Sequence, residues 1–76
     1  MKYQMSDALA VAIHSSGLKK YNIAATGGIS PTSLSLYLGG SVFGPAARQR
    51  VVLIGRALGI AEDQITIDVP DPLYGK

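Results

Sequence analysis

The sequence predicts a mainly helical domain of four to five helices with a short C-terminal β-strand. Three observations predict it. Apolar residues recur at three- and four-residue spacing between Leu9 and Leu58, the period of helices that bury one face. Glycines close the periodic stretches at Gly17, Gly27-Gly28, Gly39-Gly40 and Gly59, where helices commonly end. The period then becomes two, with Ile65, Ile67 and Val69 alternating with Thr66 and Asp68, as in a half-buried strand.

Ser6-Asp7 is a good N-cap pair for a first helix. Leu9, Ala12, Ile13 and Ser16 share its inner face, and Gly17 stops it. Leu18 is expected to plug the core. A short second helix is expected over residues 20–26, with Ile23 and Ala24 inward and Tyr21 nearby. One glycine of the Gly27-Gly28 pair is expected at positive φ, which costs glycine no steric penalty. Ile29 then points back to the core. A third helix opens with Ser30 as N-cap and Pro31 at its first position, where the missing N–H leaves nothing unsatisfied. Leu34, Tyr37 and Leu38 form its inner face. Residues 39–45 read as a loop with Phe43 as a core plug. A fourth helix is expected over residues 46–58, with Val51, Ile54, Ala57 and Leu58 inward. The strand at 65–69 needs a partner. Lys2 to Met5 also alternates and is one candidate; the same strand of a second copy is the other. Residues 71–76 are expected to be loosely ordered.

The 76 residues suit a single domain, with a helical body over about 6–60 and a strand and tail over 61–76. A domain this small is often marginal alone. With no cysteine it has neither disulfides nor thiolate metal ligands, so an apolar fraction of 47% and self-association are its routes to stability. No apolar run approaches the roughly 18 residues of a membrane span, and no signal-peptide pattern is visible. A cytoplasmic protein is expected, with no membrane partner.

Net charge is only +2, but its distribution is uneven. Residues 8–61 hold five basic residues (Lys19, Lys20, Arg48, Arg50, Arg56) and no acid. Four of the five acids (Glu62, Asp63, Asp68, Asp71) follow. A cation-only body suits a polyanion such as nucleic acid.

Two short helices joined by a tight glycine turn, the second opening at a serine cap, describe a helix-turn-helix. Gly17-Leu18, Ile23-Ala24, Gly28-Ile29-Ser30, Leu34-Ser35 and Gly40 fall in one register without a gap, and Ala57-Leu58-Gly59-Ile60 follows. On these residues the chain resembles the lambda-repressor-like helix-turn-helix family over about residues 7–60. That family includes phage Cro and repressor proteins and small bacterial regulators. The resemblance implies that the helix opened by Ser30 enters the major groove of double-stranded DNA. Pro31, Thr32, Ser33, Ser35 and Leu36 are then the expected base-contacting positions. Lys20 matches a family position that contacts phosphate. Lys19, Ser30, Arg48 and Arg50 complete the expected phosphate set. A homodimer on a two-fold site is expected, joined through Ile65, Ile67 and Val69, with Val52 and Leu53 as a second possible surface.

Two departures from the family pattern stand out. An arginine–glutamate pair common in the family is replaced at both positions by apolar residues, Ile13 and Leu38. Replacing both partners of a buried ion pair is often harmless, whereas losing one is costly. The third helix also lacks arginine, lysine, asparagine and glutamine, the side chains that make bidentate contacts to guanine and adenine. Modest base selectivity or reading of DNA shape is therefore expected. The alternative is a protein-interaction module, antirepressor- or antitoxin-like, that keeps the fold without reading DNA.

Other chemistry finds no support in the sequence. His14, the one histidine, reads as a solvent-facing residue of the first helix rather than a metal ligand. The serines have no base at a recognisable spacing and read as caps. Gly27-Gly28 lacks the lysine and preceding strand of a phosphate-binding loop. No enzyme activity, cofactor, metal or small-molecule substrate is expected.

Overall fold

A computed structural model describes residues 2–70. The chain runs β1 (Lys2–Met5), α1 (Asp7–Ser15), α2 (Lys20–Gly27), α3 (Pro31–Leu38), α4 (Pro45–Ala57), a short 3-10 turn (Glu62–Gln64) and β2 (Thr66–Val69). It is mainly helical, with one two-stranded sheet. The tail at 71–76 lies outside the described residues.

Ser6 starts α1 as its side chain accepts the Leu9 N–H at 3.1 Å and donates to the Gln64 carbonyl at 2.6 Å. One buried serine thus caps a helix and ties it to the segment entering β2. Ser30 does the same local work for α3, accepting the Ser33 N–H at 3.1 Å, with Pro31 at the first turn. At the end of α2, Gly28 adopts φ +70°. Its N–H meets the Ala25 carbonyl and the Ile29 N–H meets the Ala24 carbonyl, a Schellman-type closure that turns the chain into α3.

The core is built from Leu9, Ile13, Ile23, Ala24, Leu34, Phe43, Val51, Ile54 and Ile65, each 5% exposed or less. Ile29, Tyr37 and Leu38 pack against it. Ile13 and Leu38, the two apolar replacements, therefore both join one apolar cluster. The Tyr37 and Phe43 rings lie 4.6 Å apart, centre to centre.

α2 packs on both α3 and α4. Gly27 is buried where α2 meets α4. A Cβ there would stand 2.8 Å from both the Arg50 carbonyl oxygen and the Ile54 side chain. The absence of a side chain lets the two helices approach this closely.

β1 and β2 pair antiparallel within the chain, with Gln4 opposite Ile67 and Met5 opposite Thr66. Of the two expected partners for the C-terminal strand, the chain's own N-terminal segment takes one edge. On its other side β1 exchanges two backbone hydrogen bonds of 2.9 Å between Tyr3 and Phe43. The Gln4 side chain donates to the Gly40 carbonyl at 2.6 Å. The loop after α3 is thereby fastened to the sheet.

Five expectations are corrected. Leu18 is 55% exposed rather than a core plug; it follows the positive-φ turn at Gly17 and lines a shallow cleft with Ile23, Thr26, Ile54, Ala57 and Leu58. Tyr21 is 50% exposed, because two residues from Ile23 is the opposite side of a helix. On α4 the buried set is Val51, Val52, Ile54 and Gly55, so Ala57 lies outside the core. Val52, now inside it, is removed from any surface for a second copy. Ile65 is fully buried and likewise belongs to the core rather than to a dimer contact.

Candidate nucleic-acid interface

α2 and α3 are each eight residues long and are joined by Gly28, Ile29 and Ser30. α3 buries one residue fully, Leu34, and leans Tyr37 and Leu38 on the core. Its other side is open. Pro31, Thr32, Ser35 and Leu36 are exposed. Ser33 is half-buried and engaged, since it accepts a hydrogen bond from the Ser30 hydroxyl at 3.1 Å while its own N–H is capped by the same oxygen. Of the five positions expected to meet bases, four present free surface and Ser33 stiffens the helix start.

The expected phosphate set divides. Lys19 and Lys20 are exposed at the start of α2, with the Lys19 ammonium 5.8 Å from the Tyr21 ring centre. Ser30 lies at the start of α3, its hydroxyl committed to the cap. Arg50 reaches from α4 to the turn between α2 and α3, where Nη1 donates to the Gly27 and Gly28 carbonyls at 3.4 and 3.3 Å. Lys20, Arg50 and Ser30 thus attach to one helix–turn–helix unit.

Arg48 goes elsewhere. It is half-buried, its Nε donates to Thr66 Oγ1 at 3.2 Å, and its guanidinium stacks 5.1 Å from the Tyr3 ring centre. It pins α4 to both strands of the sheet and is not part of the free cationic surface. Two arginines two residues apart point about 200° apart around a helix, so Arg48 and Arg50 cannot serve one face. The seats for Arg48, Tyr3 and Thr66, lie at opposite ends of the chain, and no spacing in the sequence links them.

The acids belong to other elements. Asp7 is in the first turn of α1, Glu62 and Asp63 are in the 3-10 turn, and Asp68 is on β2. No acidic residue lies on α2, α3 or α4. The region offers cations, hydroxyls and exposed backbone to a ligand, with no carboxylate on these helices to repel an anion.

Apolar exposure is the feature that sequence reasoning underestimated. Leu36 is 55% exposed and Val42 46%. The Ser41 N–H bonds to the Leu36 carbonyl at 3.1 Å, so Val42 is held just past the last turn of α3. On the sheet, Ile67 is 49% exposed and Val69 half-buried. With Ile65 in the core, Ile67 and Val69 are the members of the expected dimer set that a second copy can reach.

His14 is exposed on α1. Among the described residues no three His, Cys, Asp or Glu side chains gather as cation ligands. None of the described helices is long and apolar enough to cross a membrane. No family model, curated protein or solved structure matches the chain.

Proposed function

We propose that this chain is a small Cro- or repressor-like transcriptional regulator, a cytoplasmic, non-enzymatic protein that binds double-stranded DNA through α3. One observation carries the reading: α3 opens at a serine-capped turn with Pro31, Thr32, Ser35 and Leu36 free, and α2 and α4 hold cations and no acids. In this mode the start of α3 lies in the major groove, while Lys19, Lys20 and Arg50 meet phosphates. Short hydroxyls and the Leu36 side chain read thymine methyls and groove shape more than guanine or adenine edges. In this reading two copies joined through the free edge of β2, with Ile67 and Val69 at the contact, bind half-sites one helical turn, roughly 34 Å, apart.

The test is fluorescence anisotropy of the protein with a random duplex and with the duplex from upstream of its own gene, over a salt series. Tighter binding to the upstream duplex, weakening as salt rises, is the expected result. Each phosphate neutralised contributes about 0.9 to the logarithmic salt slope. Absence of binding to either duplex at low salt would sink the reading.

A second reading rests on the exposed pair Leu36 and Val42. Exposed apolar side chains of this kind suit a protein contact, so a protein-binding module with the same fold, antirepressor- or antitoxin-like, is the alternative. Leu36→Asp separates the two: it weakens duplex binding in the first and abolishes partner capture in the second.

A further inference from the structure

Arg50 occupies an unusual place. It belongs to α4, yet its Nη1 nitrogen serves the carbonyl oxygens of Gly27 and Gly28, the last of α2 and the first of the turn. Those carbonyls form the negative end of the α2 dipole. They stand within three residues of the start of α3, where the proposed reading brings a phosphate. Uncompensated, they repel it. A guanidinium carries five N–H donors in a planar fork. Among the described residues only Nη1 is engaged, and the side chain is exposed. The guanidinium lies close over the turn: a Cβ on Gly28 would lie 2.5 Å from Nη1.

We propose that Arg50 is a bridge between the helix–turn–helix and the nucleic-acid backbone, clamping the α2–α3 turn through Nη1 while its remaining N–H groups hold a phosphate. It is both a positioning residue and a phosphate ligand, and its neighbour Arg48 is neither of these at the interface. Arginine suits this bridge because its donors are spread over three nitrogens, so one nitrogen holds the turn while the others face a ligand, whereas a lysine would have to serve both from a single nitrogen. The phosphate half rests on the DNA reading; the clamp half does not.

Two measurements on wild type, Arg50→Ala and Arg50→Lys separate the halves. The first is the salt slope of duplex binding. The second is hydrogen exchange of the Gly28 and Ile29 amides, which close α2. We expect Arg50→Ala to lower the slope by about 0.9, one phosphate on B-form DNA, and to speed exchange at both amides several-fold while α1 amides are unchanged. Arg50→Lys restores the slope but not the protection. Unchanged exchange in Arg50→Ala overturns the clamp, and an unchanged slope overturns the phosphate contact. Full recovery of protection by lysine overturns the bridge in favour of simple charge. If wild type binds no duplex at low salt, the DNA reading and the phosphate half fall together, and exchange still decides the clamp.

Discussion

Single atoms decide much of this domain. The Ser30 hydroxyl caps α3 and also holds Ser33. Losing such a cap costs about 1 kcal/mol, so Ser30→Ala should lower the urea midpoint accordingly and loosen the start of α3 first. Gly27 has no room for a methyl group between the Arg50 carbonyl and Ile54. Overpacking of this kind costs about 1–3 kcal/mol, and Gly27→Ala should show it in thermal melts. Gly39→Ala is the control, since a Cβ there meets nothing closer than 3.4 Å; equal losses for the two variants would contradict the close α2–α4 approach. At this scale the caps were legible in advance, because Ser30-Pro31 states its own chemistry. The crowding at Gly27 was not, because the residues that fill the space come from α4, more than twenty positions away.

Among elements, α4 is the hub. Arg48 fastens it to the sheet and Arg50 to the turn before α3. Lys20→Ala should reduce the salt slope of duplex binding by about 0.9 with stability unchanged. Arg48→Ala should leave the slope unchanged and lower stability, as expected for a side chain stacked on Tyr3 and bonded to Thr66. A lower slope for Arg48→Ala would return that residue to the phosphate set. The strand at β2 divides in the same way. Ile65→Ala should cost about 2–5 kcal/mol, as for other fully buried isoleucines. Ile67→Lys should leave the fold intact and shift a dimer to monomer in analytical ultracentrifugation. The order of the helices was readable from apolar spacing and glycine stops. The roles of Arg48 and Ile65 were not, since each depends on which residues of other elements lie beside it, and the alternation at residues 2–5 named β1 only as one of two candidate partners for β2.

For the whole molecule, size and charge set the terms. Without disulfides, one small core holds four helices and a two-stranded sheet together. That core was largely foreseen, because helical periodicity names Leu9, Ile13, Ile23, Leu34, Val51 and Ile54 directly. The absence of acids within α2, α3 and α4 was also visible in the linear order of charges. Which cations remain free was not, because a basic residue reads the same in sequence whether it faces solvent or another helix. The central claim is that α3 and the start of α2 form one nucleic-acid surface. The most direct measurement is an NMR titration of the ¹⁵N-labelled chain with a short DNA duplex at low salt. We expect the shifted amides to cluster at residues 19–21 and 28–36, with β2 shifting only where two copies meet. Shifts centred on α1, or no shifts at all, would contradict it.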